Sequence, residues 1–162
     1  SAKETTEIIA GTTELFAVTP GTVHPITEST DSVFSEKMMG DGYFVVPENG
    51  DVYSPVTGTV TSIFPTKHAL GITTDKGLEI LLHMGLNTVE LSGKPFDVKV
   101  SEGQKVTPDT LVAHADLKAI EEAGKKTDML VIITNMAAVK EATLEKTGKV
   151  NKNEAVMKVV TK

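Results

Sequence analysis

The chain holds four histidines and no cysteine, so a side chain that changes charge near neutral pH and can act as a nucleophile must be an imidazole. A neutral imidazole nitrogen can serve as a nucleophile or as a metal ligand. Position separates the four. His24, in "TVHPIT", stands before a proline and reads as a turn or edge-strand residue. His114, in "LVAHAD", alternates with Val112 and reads as a half-buried strand position. His68 and His83 each end an apolar, strand-like run, beside "HALG" and "HMG", where small neighbours leave an imidazole open on a sheet surface.

Strict alternation through "LEILLH" places Glu79, Leu81 and His83 on one face and Leu78, Ile80 and Leu82 on the other. The "TTDKG" stretch between the two histidines is a turn. A hairpin centred on Asp75 and Lys76 sets His68 directly opposite His83. Spacing alone leaves two readings open: a functional pair, or two structural histidines satisfied within strands.

The elements that must carry this pair are almost all strands. "ELFAVT", "YFVVP", "GTVTSIF", "LGITT", "LEILLH", "FDVKV", "TLVAHA", "MLVIIT" and "AVMKVV" are short and rich in β-formers. "PENGD", "TTDKG", "SEGQ" and "TPDT" supply the turn residues between them. The spacing predicts an all-β fold: an antiparallel β-sandwich, a barrel or a barrel-sandwich hybrid, with one or two short peripheral helices. The best helix is "DLKAIEEAGKKTD", capped by Asp116, striped by Leu117 and Ile120 and ended by Gly124. "FSEKMMG" reads as a single turn. "SPVTGTV" and "SEGQKVTPDTLV" each set a glycine turn before a β-branched residue, which suggests an internally repetitive sandwich.

A length of 162 residues with 40% hydrophobic content suits one core and not two independent domains. Residues 1–12 read as a loose leader or linker remnant, and 13–162 as the domain. No apolar run reaches membrane-spanning length and "SAKETTEII" lacks the features of a secretory signal, so direct membrane insertion is not expected. The absence of cysteine excludes disulfides and thiolate zinc sites and fits a reducing cytoplasm. A net charge of −6, with both signs scattered, argues against nucleic acid and points to a basic partner if charge steers one.

"GLEILLHMGLNTVEL" resembles the active-site signature of the glucose-type enzyme IIA domains of the phosphoenolpyruvate-dependent sugar phosphotransferase system. "VHPIT", "VFSEKMMGDG", "SPVTGTV", "FPTKHALG", "VSEGQKV" and "IITNM" resemble the family's other segments in the same order. The resemblance covers nearly the whole chain. It implies a cytoplasmic β-sandwich, free or tethered to a membrane permease, that accepts a phosphoryl group on one histidine and passes it on. His83 is implied as the phosphorylated nucleophile, His68 as its stabilising partner and Thr66 as the residue that orients His68. Asp31, Val33, Phe34, Met38, Met39, Phe64 and Leu81 match the rim and apolar patch on which partners dock, and Asn87 belongs to the same surface. The implied donor is the histidine phosphocarrier protein HPr, and the implied acceptor is a cysteine of the EIIB domain of a sugar permease. No cofactor or metal is implied. Asn87 stands where many relatives carry aspartate, Pro95 where glycine is commoner, and Ser32 and Gly71 where apolar residues are frequent.

Two other classes fit part of the pattern. "SEGQKVTPDTL" resembles half of a lipoyl or biotinyl carrier domain and Lys76 occupies a turn, but neither Met-Lys-Met nor Asp-Lys-Ala is present. A zinc hydrolase built on His68 and His83 would need a third ligand and a general base, and no HxH or HExxH motif supplies them.

Overall fold

Short apolar runs, alternating with polar residues in some strands and continuous in others, form strands throughout the computed structural model, which describes residues 7–162. The first half of the chain contains β1 (Gly11–Phe16), β2 (Gly21–Pro25), α1 (Ser32–Ser35), β3 (Asp41–Pro47), β4 (Asp51–Tyr53), β5 (Gly58–Ile63), β6 (Ala69–Thr73) and β7 (Glu79–Met84). The second half contains β8 (Phe96–Val98), β9 (Lys105–Val106), β10 (Leu111–Ala115), α2 (Leu117–Glu122), β11 (Met129–Ile133), β12 (Val139–Leu144), β13 (Gly148–Val150) and β14 (Ala155–Thr161). Three short 3-10 turns complete it, at Ile26–Glu28, Thr88–Leu91 and Met136–Ala138. The fold is all-β and antiparallel with two short helices, as the turn spacing predicts.

An eight-stranded sheet runs β13-β2-β3-β11-β7-β6-β5-β9, and two three-stranded sheets run β1-β14-β12 and β4-β10-β8. The two glycine-turn segments that look alike in sequence lie side by side. Gly58 pairs with Val106 across β5 and β9, and the Gly103 N–H donates to the Val60 carbonyl at 2.7 Å. β12 escapes the sequence reading because "VKEATL" exposes Lys140 and Glu141 and is an edge strand, which needs little apolar surface.

Both helices are set by their caps. Asp116 accepts from the Ala119 N–H at 3.1 Å, and Gly124, at φ +77°, supplies the left-handed residue past the end of α2. Asp31 accepts from the Val33 N–H at 2.9 Å, which starts α1 two residues before the "FSEKMMG" stretch. Of the segment read as a leader, residues 1–6 lie outside the described residues. Ile9 is bonded at both ends, its N–H to the Lys76 carbonyl and its carbonyl to the Thr161 hydroxyl, and β1 begins at Gly11.

The central strands β3, β11, β7 and β6 feed two separate apolar clusters, one from each face. Tyr43, Val45, Leu70, Ile80, Leu82, Met84 and Val131 enter the main core. Their alternates, Phe44, Ala69, Leu81, Leu130 and Ile132, join Ile26, Phe34 and Leu86 in a smaller cluster on the other face. Each buried leucine or isoleucine contributes about 1.5–3 kcal/mol of transfer free energy. The smaller cluster is therefore a firm floor, and His83 stands on it.

Candidate active site

His83 is the penultimate residue of β7, held between β11 and β6, where it pairs with Leu130 and Ala69. As alternation requires, it shares a face with Leu81. The partner expected opposite it was His68, and the structure corrects that register by one residue. The last pair of the hairpin is Thr73 with Glu79, and Gly77 turns the loop at φ +90°, so the turn holds one residue more than a loop centred on Asp75 and Lys76. His68 instead uses its carbonyl to accept from the Met84 N–H at 2.7 Å.

A one-residue slip in a regular ladder would send the two imidazoles to opposite faces. They meet because His68 lies just before β6, outside the ladder. The Lys67 N–H donates to the Phe64 carbonyl at 2.7 Å and Lys67 itself sits at φ 58°, so a tight turn delivers Phe64, Thr66 and His68 to the His83 face. The two imidazole centroids stand 4.9 Å apart with their planes at 79°. Phe34 flanks His83 at 5.1 Å and Phe64 flanks His68 at 5.4 Å, each edge-on.

The hydrogen bonds define the chemistry. His83 Nδ1 lies 2.8 Å from the Gly85 carbonyl oxygen. A carbonyl can only accept, so Nδ1 carries the proton and Nε2 keeps its lone pair. Burial, with a smaller push from His68, lowers the pKa of His83 to about 4, which keeps it neutral at physiological pH. Burial lowers the pKa of His68 as well. Thr66 Oγ1 lies 2.6 Å from His68 Nδ1. The site thus offers one imidazole nitrogen free to attack and a second imidazole, fixed from behind, beside it.

Phe64, edge-on to His68, is an exposed apolar side chain, and so are Val33 beside Phe34 in α1 and Met38 and Met39 just past it, with Met38 the most open at 70%. Phe34 and Leu81, placed with them by resemblance, lie beneath the rim instead, at 7% and 9% exposure, because both belong to the floor cluster. Val89, half exposed, joins the exposed apolar set without having been anticipated; flanked by Thr88 and Glu90, it gives no apolar period to read. Asp31, Asn87 and Lys125 line an open groove of about 420 Å³ on the same side. Asn87 takes a left-handed conformation, φ 59°, ahead of the 3-10 turn, a backbone state that asparagine tolerates better than most residues.

The other two histidines stand apart from this site. His24 bonds to Glu28 at 2.9 Å and stacks on Phe44. His114 bonds to Asp51 at 2.8 Å on an open sheet face, exposed where alternation had suggested half-burial. Lys76 lies along Gly11 with its side chain 29% exposed, not free at a hairpin tip as a lipoyl-type lysine would be. Among the described residues no third His, Cys, Asp or Glu joins His68 and His83 in a group able to hold a metal, which removes support from the zinc-hydrolase reading.

A family model described as phosphoenolpyruvate-dependent sugar phosphotransferase system, EIIA 1, matches residues 13–139. The chain is 53% identical over 148 residues to the PTS system glucose-specific EIICBA component of Streptococcus pneumoniae, which covers 91% of this chain and 20% of that protein. It is 44% identical over 137 residues to the PTS system beta-glucoside-specific EIIBCA component of Bacillus subtilis, covering 85% and 22%. Among solved structures it resembles the glucose permease IIA from Mycoplasma capricolum at 34% identity and a TM-score of 0.83, covering 91% of this chain and 96% of that one. The chain spans about a fifth of the length of these curated relatives.

Proposed function

The chain belongs to the EIIA 1 family of the phosphoenolpyruvate-dependent sugar phosphotransferase system, and from that membership we propose that it carries a phosphoryl group on His83 between two partner proteins. The observation that carries the reading is the Nδ1–H bond of His83 to the Gly85 carbonyl, which leaves Nε2 unprotonated on a ring whose centroid stands 4.9 Å from that of the second imidazole.

His83 Nε2 attacks the phosphorus of the donor's phosphohistidine. The new P–N bond forms as the donor's P–N bond breaks, and the electron pair of the broken bond returns to the donor imidazole. His68 donates a hydrogen bond from Nε2 to the phosphoryl oxygens, and the Thr66 hydroxyl donates to His68 Nδ1 to hold that tautomer. In the onward step an acceptor thiolate attacks the same phosphorus, an S–P bond replaces the N–P bond, and Nε2 recovers its lone pair.

The donor in this reading is HPr and the acceptor is the cysteine of an EIIB domain. Fusion names such as EIICBA and EIIBCA in the relatives support an acceptor within the same assembly. The exposed ring of Val33, Met38, Met39, Phe64 and Val89 is the docking surface, with Asp31 and Asn87 at its polar border. The site works on the cytoplasmic side. No helix among the described residues is long and apolar enough to cross a membrane.

Incubation with radiolabelled phospho-HPr tests the assignment. His83→Ala accepts no label, whereas His68→Gln accepts it but passes it to EIIB on the order of a hundredfold more slowly, the loss typical for one transition-state hydrogen-bond donor. Label on another residue of His83→Ala overturns the reading.

A further inference from the structure

The Gly85 carbonyl can select the His83 tautomer only if it cannot turn away, and Gly85, at φ +79°, is a flexible residue on which to rest that task. The surrounding hydrogen bonds supply the missing rigidity. The peptide plane between Met84 and Gly85 is held at both ends: the Gly85 N–H donates to the Asp128 carbonyl at 2.7 Å, and the Met84 carbonyl accepts from the Thr88 hydroxyl at 2.5 Å. The next plane is held in the same way. The Leu86 N–H donates to the Lys126 carbonyl at 3.1 Å, and the Gly85 carbonyl accepts from His83 Nδ1 at 2.8 Å.

Of these four bonds, two are between backbone groups and one belongs to His83 itself. The remaining one comes from Thr88, whose side chain is fully buried. Its methyl group also fills the space over Gly85, where any side chain would collide with it. Thr88 therefore holds the first plane by its hydroxyl and restricts the glycine by its methyl.

We propose that Thr88 is a positioning residue for phosphoryl acceptance, acting through the Met84 and Gly85 peptides to keep the proton of His83 on Nδ1. Without the Thr88 hydroxyl the Met84 carbonyl loses its buried partner, and the plane rotates to seek another. As that plane tilts, the Gly85 carbonyl is drawn off Nδ1 against the single Leu86 N–H bond that holds its own plane, and the imidazole proton is free to move to Nε2. Each molecule in that tautomer has no lone pair at the attacking position. The proposal rests on His83 Nε2 as the nucleophile, but the tautomer is measured without any partner or phosphoryl group.

Thr88→Val keeps the shape and removes the hydroxyl, while Thr88→Ser keeps the hydroxyl. Imidazole ¹⁵N chemical shifts of His83 are expected to show a lone pair on Nε2 alone in the unsubstituted protein and in Thr88→Ser, and a mixture of both tautomers in Thr88→Val. The rate of labelling from phospho-HPr is expected to fall roughly tenfold in Thr88→Val, the scale of one lost buried hydrogen bond, and to return in Thr88→Ser. If Thr88→Val does not fold, Thr88→Ala against Thr88→Ser makes the same comparison. A single Nε2-lone-pair tautomer in the hydroxyl-less variant overturns the proposal, even if its melting temperature falls, because the hydroxyl is then structural only. Normal tautomer behaviour together with label on a residue other than His83 would instead condemn the carrier reading and leave the Thr88 geometry standing.

Discussion

The two faces of the eight-stranded sheet are built from the same strands and finish differently. On the inner face Ile80, Leu82 and Met84 of β7 are at most 1% exposed, sealed by the rest of the main core. On the outer face Leu81 and Phe34 keep 9% and 7% of their surface exposed, and Val33, Met38, Met39, Phe64 and Val89 stay open to water. An inner face completes its burial by folding. The outer face retains apolar surface that a partner can cover, and its two imidazoles lie at that border, dry enough to stay neutral and near enough to the surface to be reached.

Paired truncations on β7 probe this difference most strongly. Leu82→Ala, on the inner face, should cost about 3–4 kcal/mol in urea unfolding, and Leu81→Ala, on the outer face, about 2 kcal/mol, because a floor that still meets water collapses more readily into the space left. Phosphoryl acceptance should fall more in Leu81→Ala than in Leu82→Ala once both are measured well below their unfolding midpoints. Equal costs would mean that the outer floor is as tightly closed as the core.

Charge on the rim should have the opposite profile. Phe64→Glu or Met39→Glu is expected to weaken donor binding by roughly tenfold, while changing unfolding free energy by no more than about 0.5 kcal/mol. Calorimetric titration with HPr and urea unfolding of the same preparations give both numbers. Collapse of the fold would show that these side chains belong to the floor.

A smaller effect appears in the pH response. The pKa of His83 falls from 6.5 to about 4 on folding, so between those values the unfolded chain binds more protons than the folded one. Stability therefore declines as pH falls through that window, and His83→Gln should decline less. The imidazole resonances of His83 should titrate with a midpoint of about 4. A midpoint near 6.5 would mean that water reaches the ring freely.

The smallest expected change is at the polar border. Asn87→Asp should speed transfer from phospho-HPr by about twofold to fivefold at low salt, through pairing with a basic donor, and the gain should vanish as salt screens it. A rate ratio unchanged by salt would place the effect at the phosphoryl group itself, beside His83.

Local sequence determined a good deal of this protein. Alternation in "LEILLH" assigned Leu81 and His83 to one face because side chains on a strand repeat every second residue, and that rule needs no neighbours. Asp116 and Gly124 bounded α2 because a cap acts within its own turn. Resemblance to the signature singled out His83, resemblance to "FPTKHALG" singled out His68 and Thr66, and the chain brings these three together.

What the tertiary structure decided is wherever distant segments share space. The hairpin register could not be read because a single extra loop residue shifts every pair, and only the bend at Lys67 explains how His68 still reaches His83. Burial of Phe34 and exposure of Val89 depend on what β3, β11 and the 3-10 turns place around them, which neither residue's neighbours encode. The tautomer of His83 depends on a carbonyl two residues away, held in turn by Thr88, Lys126 and Asp128. A sequence names the groups capable of chemistry; their protonation follows from the hydrogen bonds and the dry surroundings that folding assembles.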